Sequence, residues 1–381
     1  MIYKPSFYEF FAGGGMARAG LGAGWRCLFA NDFDHKKIQA YRANWGSDVL
    51  HEGDVGAVSL AQLPGRADLI WGSFPCQDLS LAGAGAGLSG SRSGSFWPFW
   101  RLVKELKLAQ RAPKLIVLEN VCGALSARGG KDFIQLCAAL AQENYRFGAL
   151  VLDAALFVPQ SRPRLFIIAL AQDAPLPADL IHSHAQDPFH TQAVRKSYAQ
   201  LQRELRDHWL WWALPAPKTQ ALSLSSVIEE EPQDVAWHSD AQTQALINLM
   251  NGLHYEKILE AQRSGQRWVG ALYRRTRVEN GVKVQRAEVR FDGVAGCLRT
   301  PSGGSSRQYV LLVEGNKIRS RLLSARETAR LMGLSENYLL PAAYSSAYHL
   351  TGDGVVAPVV RHIAAHLLEP LVQAAHVQAA A

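Results

Sequence analysis

Short apolar runs alternate with helix-period segments through the first 170 residues of the chain. The runs FYEFF, CLFAN, ADLIWGSF and KLIVLEN are each followed by a segment with apolar residues at helical spacing, such as DHKKIQAYRANW or KDFIQLCAALAQE. FGALVLDAA and RLFIIAL close the series. Such continuous apolar runs are typical of strands that are buried on both faces. The alternation predicts an α/β fold with a doubly wound, mostly parallel sheet.

This alternation ends near Ala171. From there to Arg290, tryptophans mix with prolines, as in HWLWWALPAPKTQALSLSS, and no strand–helix repeat is visible. A helical pattern returns at LLSARETARLMGL, where Ser324 and Glu327 form the Ser-x-x-Glu pattern of a capping box, and again at VVAPVVRHIAAHLLEPLVQAAHV. We therefore predict a second, smaller region in the middle of the chain and a final amphipathic helix that packs back on the sheet.

The composition is that of a globular protein. The chain has 381 residues, of which 48% are hydrophobic and 19% are charged, so it can bury a large core without disulfides. Apolar stretches such as Leu115–Leu118 and Leu165–Ala171 are far shorter than the roughly 20 residues of a membrane span. The amino terminus lacks a secretory pattern, so we expect a cytosolic protein.

The cysteines and histidines do not form a metal-binding or disulfide pattern. The five cysteines are odd in number and include no C-x-x-C pair. Cys27, Cys122 and Cys137 lie in apolar segments, where a thiol packs like a small hydrophobic side chain. The three histidines of HSHAQDPFH lack cysteine or carboxylate partners at ligand spacing. We therefore predict no metal site.

Positive charge is concentrated in one region. Residues 255–330 contain 16 Lys and Arg against 7 Asp and Glu, a local net charge of +9, whereas the whole chain carries +7. Within this region, LYRRTR interleaves Tyr273 with three arginines. A charge run of this kind is either a solvated face or a surface that neutralises phosphates, and the density of arginines suits the second.

Glycine-rich and acidic segments follow the first strands, at the sheet edge where ligands bind. In FFAGGGMARAG, the glycines let the backbone turn tightly and approach a ligand. The G-x-G-x-x-G pattern is broken because Arg18 stands at its last position. Asp32 ends the second run, where a carboxylate can bind both ribose hydroxyls, so we predict an adenosine-containing ligand. Asp54 either accepts from an adenine amino group or is an exposed turn residue.

Cys76 directly follows the run ADLIWGSF and Pro75. Proline fixes its own φ and forces Phe74 into extended geometry, so we expect the thiol at the ligand edge and not in the core. Glu119 ends the next run, LENV, where adjacent parallel strands would bring its carboxylate near the thiol. QSRPR adds two arginines at a later turn. Cys76 is therefore a candidate nucleophile.

In their order and spacing, FFAGGG, NDFD, GSFPCQDLS, LENV, QSRPR and GDGVVAPVV resemble the motifs of DNA cytosine-5 methyltransferases. The resemblance covers residues 7–170 and 290–370. It implies the Rossmann-like fold of methyltransferases that use S-adenosylmethionine, with a smaller target-recognition domain. The implied division is a catalytic and cofactor-binding domain at 1–172, a target-recognition domain at 173–310, and a return segment at 311–381 that completes the catalytic domain.

The resemblance also implies a role for each matching residue. Cys76 would add to carbon 6 of a cytosine flipped out of duplex DNA, and Glu119 would act at its N3. Arg164 would hold the O2 oxygen of the base, with Arg162 supporting the same pocket. The residues implied to bind S-adenosylmethionine are Phe11, Gly13, Gly15, Asp32, Phe33, Asp54, Pro75, Asp353 and Val355. Those expected to contact DNA are Gln77, Ser80, Arg92, Arg299 and Arg307.

Asp353 is a departure from the family pattern, because the relatives commonly have asparagine at this position of GDGVV. The resemblance therefore implies the place of this segment in the site and not its detailed contacts.

Three alternatives remain. An oxidoreductase that uses a nicotinamide or a flavin could have the same fold, but the broken glycine pattern and the Cys76 and Glu119 motifs disfavour it. A regulator with an inactive methyltransferase fold is disfavoured because these residues are intact. A transfer-RNA cytosine methyltransferase has a similar architecture, but the long, Trp- and Arg-rich recognition region favours DNA.

The resulting prediction is a bacterial cytosolic enzyme that methylates cytosine within a specific sequence of double-stranded DNA and has no membrane partner. The resemblance also allows a cognate restriction endonuclease that acts on the same site, with no stable complex implied.

Overall fold

A seven-stranded sheet carries the polar segments that follow the apolar runs. The computed structural model describes residues 3–75, 95–218, 222–300 and 307–380. The strand order is β3-β2-β1-β4-β5-β7-β6. The strands are β1 (Ser6–Phe10), β2 (Arg26–Asp32), β3 (Leu50–Glu52), β4 (Leu69–Gly72), β5 (Leu115–Val121), β6 (Tyr145–Asp153) and β7 (Pro163–Ala171).

The sheet is mostly parallel, which confirms the prediction. β1 pairs in parallel with β2 and β4, β2 with β3, and β4 with β5. Only β7 runs antiparallel among the strands of this sheet that the structure describes, between β5 and β6. The segment between β6 and β7 is only residues 154–162. Antiparallel neighbours can be joined directly, whereas a parallel pair needs a longer crossover, so this short connection accounts for the reversal.

Helices follow the first strands as predicted. They are α1 (Met16–Leu21), α2 (His35–Trp45), α3 (Phe96–Leu108) and α4 (Lys131–Gln142). Asp34 caps α2 because its side chain accepts from the Lys36 and Lys37 N–H groups. The helices and the sheet share a core with many aromatic side chains, among them Phe10, Phe99, Trp100, Phe133 and Phe147.

Backbone contacts divide the chain into two units. The first contains Met1–Asp153, Pro163–Lys218 and Val359–Ala381, and the second contains Ala154–Arg162 and Thr219–Pro358. The first unit also contains α5 (Gln192–Gln200), α6 (Arg203–Arg206) and the pair β8 (Ile181–His182) and β9 (Trp211–Trp212). The boundaries of these units differ from those of the functional division at 1–172, 173–310 and 311–381, which remains a prediction.

The second unit is built on a four-stranded antiparallel sheet in the order β11-β10-β12-β13. Its strands are β10 (Arg267–Glu279), β11 (Val282–Arg290), β12 (Gln308–Glu314) and β13 (Lys317–Leu322). Its helices are α7 (Asp240–Asn248), α8 (Gly252–Arg263), α9 (Ala325–Leu331) and α10 (Tyr344–Asp353). Leu246, Ile258, Leu272, Val289 and Leu311 lie in its core.

The predicted capping box starts α9. The Ser324 hydroxyl accepts from the Glu327 N–H at 3.0 Å, and the Glu327 carboxylate accepts from the Ser324 N–H at 2.7 Å. Glu327 also forms a fully buried ion pair with Arg321, whose Nη1 lies 2.7 Å from it. The capping residue Glu327 therefore also belongs to a buried ion pair of the second unit.

The chain returns to the first unit within α11 (Ala357–Ile363), which continues through a π-helical turn at Ala364–Leu368 into α12 (Glu369–Ala380). The Trp25 indole N–H donates to Glu369 at 3.0 Å, and Arg361 donates to the Leu21 carbonyl at 2.5 Å. This confirms that the final helix packs back on the sheet unit.

Within the described ranges, one helical stretch, Tyr344–Gln378, is long and apolar enough to cross a membrane by length and composition alone. However, 61% of its most apolar window is buried inside the protein, which is typical of a core helix.

Candidate functional site

The glycine turn after β1 is held against the end of β2. Gly13 and Gly15 have φ values of 56° and 76°, in the left-handed region that glycine adopts readily. The Gly13 N–H donates to Asp32 Oδ2 at 2.8 Å, and the Trp45 indole N–H donates to the Gly14 carbonyl at 3.0 Å. A Cβ atom at Gly15 would collide with the Trp45 ring. Gly15 therefore has no room for a side chain, whereas at Gly13 only the positive φ favours glycine.

Asp32 is only 7% exposed, and both of its carboxylate oxygens accept from the backbone. Oδ1 accepts from the Asp34 N–H at 2.8 Å, in addition to the bond from Gly13. Burial raises the pKa of Asp32. A carboxylate has about four acceptor positions, so two remain for the hydroxyls of a ligand.

Two aromatic side chains lie beside these groups in the chain. Phe33 is 67% exposed, which is unusual for a large apolar residue and suits a ring that a ligand covers. Phe11 is half-buried with a φ of 58°, and its ring meets Phe99 edge-on at 6.0 Å. A side chain at positive φ is uncommon, so the position of Phe11 is set by the turn.

Asp54 is exposed and caps a short helical turn. Its Oδ1 accepts from the Gly56 N–H at 2.6 Å. Of the two predicted roles, ligand contact and exposed turn residue, this bond matches the second. Asn31 donates to the carbonyls of His51 and Gly53 at 3.1 and 2.9 Å, which joins the end of β2 to the segment before Asp54. The contact of Asp54 with a ligand remains a prediction.

Glu119 and Arg164 meet at the carboxyl end of β5. β7 runs antiparallel to β5, with Arg164 opposite Val121, so the two side chains approach each other. Arg164 Nε lies 3.4 Å from Glu119 Oε1, and both side chains are largely shielded from solvent. The structure therefore brings together an acid and a cationic donor, which can act on neighbouring atoms of one small planar ligand.

Asn120, which the sequence analysis did not single out, supports the neighbouring strand end. Its buried side chain donates to the Phe74 carbonyl at 3.1 Å, directly before Pro75. A polar residue at the buried end of the apolar run KLIVLEN is the signal that could have identified it. The predicted site residues Cys76, Gln77, Ser80 and Arg92 lie outside the described residues.

Three of the other cysteines are poorly suited to act as nucleophiles. Burial raises the pKa of the Cys27 thiol to about 12 and that of Cys122 to about 11, and it also raises the pKa of Cys137. A thiol needs to lose its proton to attack, so these three groups are inert near neutral pH. This agrees with the prediction that they pack as small hydrophobic side chains.

In the second unit, Arg162 holds backbone segments together. It is 1% exposed, and its guanidinium donates to the carbonyls of Leu298, Gly352 and Gly354 at 2.6, 2.7 and 2.8 Å. It also lies 3.4 Å from Cys297 Sγ. Arg162 therefore has the contacts of a positioning residue.

The remaining predicted residues of the second unit lie near that segment. Asp353 is exposed and accepts from the Thr300 hydroxyl, whereas Val355 is buried. Arg299 is exposed, and Arg307 is half-buried with its guanidinium 5.3 Å from the centre of the Tyr344 ring. Residues 301–306, between the two arginines, lie outside the described residues.

Glu9, in the middle of β1, is a buried acid that the sequence analysis missed. It is 1% exposed, and one oxygen accepts from the Arg18 N–H at 3.3 Å. The other oxygen is buried with no hydrogen-bond partner among the described residues. Burial raises the pKa of Glu9 to about 8. The signal in the sequence that could have identified Glu9 is a single carboxyl group within the apolar run FYEFF.

Comparison with known proteins gives one consistent result. The family model described as C-5 cytosine-specific DNA methylase matches residues 6–369. The type II methyltransferase M1.ScrFI of Lactococcus lactis subsp. cremoris is 24% identical over 371 residues, which cover 97% of this chain and 79% of that protein. The type II methyltransferase M.HhaI of Haemophilus parahaemolyticus is 25% identical over 360 residues, which cover 94% and 92%.

The solved structure of the Entamoeba histolytica methyltransferase EhMeth superposes with a TM-score of 0.63 at 15% identity, and the match covers 97% of this chain and 99% of that one. At this identity the match shows a shared fold.

We predict that Glu9 makes the stability of the protein pH-dependent. Its pKa of about 8 in the folded protein is higher than the ordinary value, 4.5. The folded state therefore holds a proton that the unfolded chain releases, and the free energy of unfolding decreases as the pH rises from about 4.5 to about 8. Glu9→Gln removes this contribution, so the variant should lose less stability over that range in urea titrations at pH 5 and pH 8.5.

Glu204→Gln, at an exposed position on α6, is the matched control and should follow the wild type. Identical pH profiles for wild type and Glu9→Gln would show that Glu9 does not carry this proton.

Proposed function

Because the chain belongs to the C-5 cytosine-specific DNA methylase family, we propose that it methylates carbon 5 of a cytosine flipped out of double-stranded DNA, with Cys76 as the nucleophile and S-adenosylmethionine as the methyl donor. Duplex DNA is then its partner and the bacterial cytosol its location. A restriction endonuclease that acts on the same DNA sequence is the corresponding second enzyme, because the relatives are named type II methyltransferases.

The contact between Glu119 and Arg164 is the observation that carries this proposal. Arg164 Nε lies 3.4 Å from Glu119 Oε1 at the end of β5. The neighbouring parallel strand, β4, leads through Phe74 and Pro75 to Cys76, and the Phe74 carbonyl accepts from Asn120 at 3.1 Å. Glu119 and Arg164 thus lie at the end of β5, and the neighbouring strand β4 leads to the proposed nucleophile.

The chemistry requires this combination because carbon 5 of cytosine is a weak nucleophile. When the Cys76 thiolate forms a bond to carbon 6, the electrons of the 5,6 double bond move onto carbon 5 and into the ring. Glu119, as a carboxylic acid, donates a hydrogen bond or a proton to N3, and Arg164 donates to O2, where negative charge develops. After carbon 5 has gained its methyl group, a base removes the carbon 5 proton. The electron pair left behind expels the thiolate and restores the ring.

The residues around the glycine turn fit S-adenosylmethionine. A Cβ at Gly13 would meet only the Lys37 side chain, at an ordinary contact distance of 3.9 Å, so no backbone atom crowds this position. The Asp32 carboxylate has acceptor positions left for ribose hydroxyls, and the exposed ring of Phe33 can cover an adenine. Phe11, Gly15, Asp54 and Pro75 are proposed for the same ligand. When bound, S-adenosylmethionine supplies an electrophilic methyl group.

The second unit supplies the remaining proposed contacts. Arg162 holds the backbone carbonyls of Leu298, Gly352 and Gly354, and this arrangement would position Asp353 and Val355 for the cofactor. Arg299 and Arg307 are proposed to bind phosphates or base edges. Gln77, Ser80 and Arg92 are proposed to contact the DNA on the basis of their motif alone.

We predict that the protein transfers tritium from methyl-labelled S-adenosylmethionine to duplex DNA and not to transfer RNA. Both substrates are offered separately to the full-length protein, and label is measured in the precipitated nucleic acid. Sequencing of the methylated DNA after bisulfite treatment then gives the recognition site. Label in transfer RNA alone, or in neither substrate, would contradict the proposal.

We further predict that a duplex with 5-fluorocytosine at the target position forms a covalent complex with the wild type in the presence of S-adenosylmethionine. Fluorine cannot leave as a cation, so the sulfur–carbon bond persists. On a denaturing gel the complex should be absent from Cys76→Ser and present in the matched control Cys122→Ser. A complex that survives in Cys76→Ser would place the nucleophile elsewhere.

A further inference from the structure

Two strands of the second unit extend beyond the rest of their sheet. β10 pairs with β12 only as far as Tyr273, whereas it pairs with β11 as far as Glu279. Residues 274–279 and 282–287 therefore form a two-stranded ribbon, called the basic ribbon here. Six residues at about 3.4 Å each make it about 20 Å long. Both residues of its turn, 280–281, have positive φ, as a tight two-residue hairpin requires.

One face of the basic ribbon is neutralised by ion pairs. Cross-strand partners point to the same face, so Arg275 and Arg286 share a face with Arg277 and Glu279. Arg286 Nε lies 2.8 Å from Glu279, and Arg277 Nε lies 2.7 Å from Glu288 at the base of the ribbon. Arg275 also lies 3.9 Å from Glu288. These pairs link the two strands and leave little net charge on that face.

The opposite face has no acidic residue. It consists of three cross-strand pairs, Arg274 with Ala287, Thr276 with Gln285, and Val278 with Lys283. Thr276, Val278, Lys283 and Gln285 are exposed, whereas Ala287 is buried at the base of this face. Arg274 is half-buried, with its guanidinium 5.8 Å from the centre of the Tyr309 ring and its Nη1 3.5 Å from Gln285 Oε1. This open face therefore carries two positive charges together with hydrogen-bonding and apolar side chains.

This composition differs from that of a surface that only neutralises phosphates. Such a surface would keep its cations free on both faces, whereas here the arginines of one face are paired within the protein. The side chains of the open face match base edges, since Gln pairs with adenine, Lys and Arg bind guanine, and Thr or Val contacts the thymine methyl group. The major groove of B-form DNA is about 12 Å wide and admits a two-stranded ribbon.

We propose that the basic ribbon enters the major groove of duplex DNA with its open face toward the bases, so that Thr276 and Gln285 help to select the methylated sequence. Arg274 and Lys283 supply the charge that attracts this face to DNA. This inference rests on the proposed function. Duplex DNA is favoured over the helical parts of transfer RNA, because the major groove of A-form RNA is too narrow for side chains to enter.

The test compares full-length variants on a random duplex library, with methylated sites determined by sequencing. Thr276→Ala combined with Gln285→Ala should relax the base preference at one or two positions of the site by about 10-fold or more. Gln266→Ala, which removes an exposed glutamine just before β10, is the matched control and should keep the site of the wild type. An unchanged site in the double variant would overturn the proposal.

A binding measurement separates this inference from the proposed function. Lys283→Ala should weaken binding to any duplex, and the slope of log affinity against log salt should decrease by about 1. If the wild type binds duplex DNA but transfers no methyl group, the proposed function fails, and the ribbon is judged by binding alone. Affinity and salt slope equal to those of the wild type in Lys283→Ala would overturn the ribbon proposal in either case.

Discussion

The hydrogen bond from the Gly13 N–H to the Asp32 carboxylate, at 2.8 Å, joins the glycine turn after β1 to the end of β2. Burying a carboxylate is costly unless it is hydrogen-bonded, and the N–H groups of Gly13 and Asp34 meet that requirement. The glycine turn itself has a left-handed backbone conformation at Gly13 and Gly15. The residue predicted to bind ribose thus also holds the backbone beside which the cofactor would lie.

The direction of β7 sets the second half of the site. Because β7 returns antiparallel to β5, Arg164 stands opposite Val121 and meets Glu119. Arg162, two residues earlier, belongs to the other unit, and its guanidinium donates to backbone carbonyls and lies near the sulfur of Cys297. The two arginines of QSRPR, which look equivalent in the sequence, therefore have different surroundings. Arg164 faces an acid and Arg162 positions the backbone.

Local patterns predicted the parallel part of the sheet, its helices and the Ser324 cap, because these depend on residues close together in the chain. They could not give the direction of β7, since a strand buried on both faces is equally apolar in either direction. Nor could they give the partners of the Arg162 guanidinium, which lie 135 and more residues away. The basic ribbon was missed as a pair of strands because charged residues on both of its faces remove the alternation that indicates a strand.

The most direct test of the account is calorimetric titration of S-adenosylmethionine into the wild type and Asp32→Asn. Loss of a charge-assisted hydrogen bond is worth about 1.5–3 kcal/mol, so we expect Kd to rise by about 10-fold or more. Glu52→Gln, at the exposed end of β3, should bind as the wild type does. A folded Asp32→Asn protein that binds S-adenosylmethionine as tightly as the wild type would contradict the central role of Asp32.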